Sequence, residues 1–247
     1  RNYENKKMKI LIIFVITFLV RVITVTVGGG GLILLPMLIF FGLPPSTAIA
    51  SNRFGATSTF LSIIKFHQHG QVKWKLGALL LLPVIIGAVL GSFVVVNIDQ
   101  DLFKKIIGAV ILISIPFLLF KKEIGLKEKI LTKKKTIIGM FMALPLSFLG
   151  GMVASTGMWF NYLYLYLGLT MLQTAATRKI TGPAVAISSL VVLISAGLVH
   201  WPAAITMFVA SALGAWVGAG LGVRAGNIWI KRLFILATLL GALKLLF

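Results

Sequence analysis

Four consecutive glycines, Gly28 to Gly31, constrain this chain more than any other stretch. Glycine gains least from helical order, so the run stops any helix that precedes it. A short apolar run, residues 32–41, follows and ends at Gly42-Leu43-Pro44-Pro45. At 1.5 Å per residue, Gly31 to Gly42 reaches only about 17 Å, roughly half a bilayer core. Asn52 and Arg53 stand ten residues beyond Gly42 in otherwise uncharged sequence. A broken half-helix followed by a cation at membrane depth is how a membrane protein builds an anion site.

The stretch occurs twice. Ala154-Ser155-Thr156-Gly157 lies 126 residues after the glycine run, and at that offset Gly42 meets Gly168, Asn52 meets Arg178 and Arg53 meets Lys179. After a one-residue insertion, Gly70 meets Gly197, Trp74 meets Trp201, and Gly87 and Gly91 meet Gly214 and Gly218. Glycines and tryptophans recurring in one frame mark a duplicated half, a usual sign of transporter folds.

Composition sets the class. The chain is 59% hydrophobic and 12% charged, with mean hydropathy +1.04. A soluble domain of this length would carry about twice that charged fraction. The apolar runs suit membrane helices, and the polar–apolar alternation of a barrel is absent. The expected fold is therefore an all-α integral membrane protein. A net charge of +19 would suit a nucleic-acid partner, but the cations cluster beside apolar segments, as topology determinants do. The lipid bilayer is the expected partner, and nucleic acid is not. No cysteine is present, so disulfides and thiolate metal sites are excluded. No cofactor or metal is expected.

Two repeats are expected, residues 1–120 and 136–247, joined by a linker at 121–135 with seven lysines and two glutamates. In the first repeat, helices are expected over 8–27, 47–66, 76–96 and 102–120, with a broken element at 28–43. In the second they fall over 136–153, 174–198, 202–222 and 228–247, with a broken element at 154–168. The run after Lys6, Lys7 and Lys9 is too long for a signal peptide and reads as a retained helix. Re-entrant breaks would give each half four spans and put the linker on the side of the N-terminus, as charge favours. A fifth crossing would invert the second half, as alternating access favours. The inverted arrangement is the one expected here.

The candidate substrate-binding residues are Gly28, Gly29, Gly30, Gly31, Asn52, Arg53, Ser155, Thr156, Gly157, Arg178 and Lys179. Free N–H groups and the helix dipole at a glycine-rich break attract anions. Small residues serve tight helix crossings equally well, and that is the reading for the Gly87/Gly91 and Gly214/Gly218 pairs. Gly30 or Gly31 is expected to need positive φ or close backbone approach. Ser155 and Thr156 would add hydroxyl donors or cap the next helix. Arg53, Arg178 and Lys179 would cost about 2.5–3.5 kcal/mol each facing lipid. All five acidic residues lie in tail, loop or linker, so a small anionic substrate would supply the counter-charge. Arg178 and Lys179 are adjacent and so do not share a helix face. Arg21, matched by Ser147 in the repeat, either snorkels or lies beside the first break.

The duplicated order of glycine-rich break, short helix to Gly-Leu, Ala-x-x-Asn-Arg and Gly-x-Val-x-Trp resembles the TauE/SafE sulfite-exporter family, over about residues 10–247. The resemblance implies transport of small sulfur-containing anions such as sulfite, sulfoacetate and other organosulfonates. The second break is diluted to Ala154-Ser155-Thr156-Gly157, and Arg178 replaces Asn52, which makes the two halves chemically unequal. The function expected is a secondary exporter in a bacterial-type inner membrane, working by alternating access. An anion channel, or a carrier of a non-sulfur small organic anion, is the alternative, and a homodimer stays open. An enzyme is not expected: no carboxylate pair, cysteine or His-rich metal spacing can be placed in the membrane.

Overall fold

Helix α1 (Asn2–Val27) ends at Gly28 and Gly29, whose φ angles of 87° and 78° only glycine adopts without strain. Helix α2 (Gly30–Phe40) restarts immediately. Positive φ therefore falls two residues earlier than the sequence suggested, and Gly30 and Gly31 are helical. The computed structural model describes residues 2–103, 105–106, 109, 125–153 and 157–246, and every regular element among them is helical. Ser155 and Thr156, and most of the helix expected over 102–120, lie outside the described residues.

The remaining helices are α3 (Pro45–Thr57), α4 (Ile63–Gln68), α5 (Trp74–Leu79), α6 (Leu81–Asn97), α7 (Lys133–Val153), α8 (Gly157–Tyr166), α9 (Met171–Ser195) and α10 (Trp201–Leu246), the last kinked at Gly226. Four segments among the described residues are long and apolar enough to cross a membrane: Lys7–Val27, Lys133–Val153, Met171–Ser195 and Trp201–Ile230. Helix α9 opens with a capping box, Thr170 accepting from the Gln173 N–H while the Gln173 side chain accepts from Thr170.

Two expected helices are jointed. The one expected over 47–66 passes through a 3₁₀ turn at Ser58–Ser62. There the hydroxyls of Thr57, Ser58, Thr59 and Ser62 each donate to the carbonyl three residues back, a local competition that tightens the helix. The one expected over 76–96 bends at Leu80, just before Pro83, which has no N–H to offer the preceding turn. The last three residues of the expected linker, Lys133 to Lys135, already belong to α7.

Contacts fix the helix directions. A Cβ on Gly214, Gly218 or Gly222 would meet Phe18, Val22 or Thr26 in turn, so α1 and α10 run parallel. Gly87 and Gly91 meet Leu144 and Phe148 in the same way, so α6 and α7 are parallel. Helix α3 and the 3₁₀ turn after it also follow α10: the His200 N–H donates to Ser51 Oγ at 3.1 Å, and Ser58 Oγ donates to the Phe208 carbonyl at 2.8 Å. The α4–α5 turn at Gly70 (φ 66°) reverses the chain, so α6 opposes α3. Helix α7 consequently runs opposite to α1.

The turns at Gly42 and Gly168 share one hydrogen-bond pattern. Gly42 and Leu43 donate to Ile39 and Leu38, and Gly168 and Leu169 donate to Leu165 and Tyr164. Both glycines sit at positive φ, 93° and 98°.

The paired glycines of α6 and α10 serve as packing seams. A Cβ on Gly91 would run into the Phe148 carbonyl oxygen, and one on Gly218 into the Val22 carbonyl oxygen. Gly91→Val is expected to lower the melting temperature while leaving ligand affinity within about twofold, because the clash lies at a seam and not in the cavity described next. Thermal unfolding and a binding isotherm on one sample check this.

A cationic cavity where the two helix breaks meet

The first turn of α2 and the first turn of α8 abut. A Cβ on Gly28 would lie 3.0 Å from the Gly157 carbonyl carbon, and one on Gly157 would lie 3.4 Å from the Gly29 nitrogen. Asn161 of α8 ties the two together by donating from Nδ2 to the Val27 carbonyl at the end of α1. The first turn of α2 thus presents its free N–H groups and dipole to a space that Gly157, the first described residue of α8, also borders.

That space is a cavity of about 110 Å³ lined by Gly28 to Gly31, Gly157, Arg21, Arg53, Arg178 and Lys179, among others. Four cationic side chains face it, and no carboxylate among the described residues does. Arg53, Arg178 and Lys179 are buried, at 6%, 7% and 8% exposure. Arg178 Nη2 donates to the Val25 carbonyl at 3.2 Å, and its guanidinium crosses the space that a side chain on Gly28 or Gly157 would fill. The missing side chains at both breaks are what admit it.

Arg21 resolves in favour of the break. Its Nε donates to Ser211 Oγ at 3.1 Å and its Nη2 to Asn52 Oδ1 at 3.0 Å. Asn52 therefore holds Arg21 and does not itself line the cavity. Arg53 Nε and Nη2 and Arg178 Nε are buried with no hydrogen-bond partner among the described residues. Each such donor costs about 1–3 kcal/mol if left unpaired.

Of the residues singled out from the sequence, Gly28 to Gly31, Arg53, Gly157, Arg178 and Lys179 are brought together around one space. Both Arg178 and Lys179 reach it despite their adjacency, because the cavity wraps around that side of α9. Arg21 is the cationic lining residue that this set did not include. Its signal was an arginine seven residues before the break, two helical turns away along the same helix.

Membrane-length apolar helices arranged around a buried polar cavity make a multi-pass membrane transporter. The chain belongs to the sulfite exporter TauE/SafE family, whose profile matches residues 13–245. It is 25% identical to a probable membrane transporter protein of Haemophilus influenzae over 96% of this chain and 94% of that one. It is 26% identical to the probable membrane transporter protein YfcA of Escherichia coli K12, over 96% of this chain and 89% of that protein. Identity to the probable membrane transporter protein YdhB of Bacillus subtilis is 23%, over 96% and 100% of the two chains. No solved structure matches the chain.

Proposed function

We propose that the protein exports small sulfur-containing anions, such as sulfite, sulfoacetate or other organosulfonates, by alternating access around the cavity between the two breaks. The observation that carries this reading is the convergence of four cations on a space with no facing carboxylate among the described residues. An anion of one or two charges would partner the buried donors of Arg53 and Arg178 and sit against the first turns of α2 and α8. The family's name supports a sulfur oxyanion in particular.

The opposite directions of α1 and α7 support two inverted halves, residues 1–120 and 136–247, rocking about the site. In an inner membrane, an inside-negative potential drives one negative charge outward with about 2.3 kcal/mol per 100 mV, so efflux needs no proton relay. Proteoliposomes loaded with sulfoacetate are therefore expected to empty faster at an interior-negative potential than at zero potential, and acetate should compete poorly. Rates that ignore voltage yet follow an imposed pH gradient would replace electrogenic export with electroneutral proton coupling. Flux that never saturates with concentration would make the protein a channel.

A further inference from the structure

A second cavity, of about 710 Å³, lies away from the site between the α4–α5 turn, the start of α5 and residues 128–131. Its floor is apolar and buried: Leu76, Leu167 and Leu169 are 6%, 0% and 5% exposed. Its outer wall is apolar and open, with Ile130 at 86% exposure. Lys73, Trp74, Lys75 and Lys129 complete the lining. Lys73 is engaged by Glu128 at 2.7 Å, and Glu128 also accepts from Gln173 Nε2 at 2.6 Å. Lys75 and Lys129 have no carboxylate partner among the described residues. The wall is fixed in place: the Lys129 N–H donates to the Gly168 carbonyl and the Met171 N–H to the Gly125 carbonyl, both at 2.8 Å.

From this we propose that the groove binds one phospholipid with an anionic headgroup, its phosphate between Lys75 and Lys129 and an acyl chain along Leu76, Leu79 and Ile130. A water-soluble anion would leave the apolar floor and Ile130 uncovered, and a zwitterionic lipid would leave the two lysines without a net counter-charge. The groove stands where a lipid is available. Trp74 is half exposed and donates from Nε1 to His67 Nδ1 at 3.2 Å, the arrangement of a side chain at the headgroup level. Helix α7 begins close by with Lys133, Lys134 and Lys135, and a basic cluster beside an apolar helix attracts anionic headgroups.

The test is native mass spectrometry of the purified full chain in maltoside detergent, with dioleoyl phosphatidylglycerol and dioleoyl phosphatidylcholine as probes. The wild-type chain is expected to retain one phosphatidylglycerol on the order of tenfold more tightly than phosphatidylcholine, as about two surface lysines provide. Lys75→Gln with Lys129→Gln should abolish that preference. Lys133→Gln with Lys134→Gln, which removes equal charge outside the groove, should keep it. Ile130→Gln, at an exposed position that does not threaten folding, should weaken retention of the lipid. Equal retention of the two lipids, or equal loss in the two double variants, would reduce the effect to diffuse surface charge and overturn the proposal. Displacement of the lipid by glycerol phosphate would overturn it too, in favour of a soluble-anion site.

Discussion

Arg53→Gln is expected to weaken sulfoacetate binding by about 10- to 100-fold and, at the same time, to raise the melting temperature of the ligand-free protein. The two signs have one cause. Arg53 is buried at 6% exposure, and its Nε and Nη2 lack a partner among the described residues. Without an anion the guanidinium is a desolvated charge beside Arg21, Arg178 and Lys179, and removing it relieves both burial and repulsion. With an anion present, the same donors form charge-assisted bonds worth about 1.5–3 kcal/mol, which sets the expected loss in affinity. A merely misfolded variant would lose both stability and affinity. Thermal unfolding with and without ligand therefore reads both effects, and a variant less stable than wild type that still binds sulfoacetate normally would remove Arg53 from the site.

Gly28→Val is expected to abolish binding, lowering affinity by more than about 100-fold, with only a partial loss of stability. Gly28 has φ 87°, a region that a β-branched residue hardly enters. A Cβ there would also occupy the space of the Arg178 guanidinium and press on the Gly157 backbone. The variant thus separates the two breaks and displaces a cation in one step. Gly91→Val supplies the contrast, since its clash with Phe148 lies at a packing seam. Should Gly28→Val retain its affinity for sulfoacetate in the same assay, the glycine run would be a hinge, and the anion site would lie elsewhere.

Much of this architecture was legible in the chain because it rests on local signals. Four glycines must break a helix, and Arg53, Arg178 and Lys179 stand out as charges in otherwise uncharged stretches. The seam glycines were legible from their spacing. What the sequence did not disclose depends on partners distant along the chain. Positive φ falls on Gly28 and Gly29 rather than Gly30 or Gly31, because Gly28 still donates to the Thr24 carbonyl and closes α1 before the chain turns. Gly30 is instead constrained by approach, its missing side chain leaving room for Arg21 Nη1 and Thr24 Oγ1. The role of Arg21 depends on Ser211, 190 residues away, and on Asn52, which no periodicity connects to it. The 3₁₀ joint after α3 depends on hydroxyls turning inward onto their own helix, a choice that burial makes and composition does not record.

One anion is expected to sit where α2 and α8 meet. The most direct measurement is anomalous diffraction from crystals grown with bromoethanesulfonate, whose bromine marks the ligand. A bromine peak is expected inside the cavity lined by Arg53, Arg178 and Gly30, absent in Gly28→Val crystals and displaced by sulfoacetate. A saturated complex with that cavity empty and the bromine elsewhere would contradict this placement.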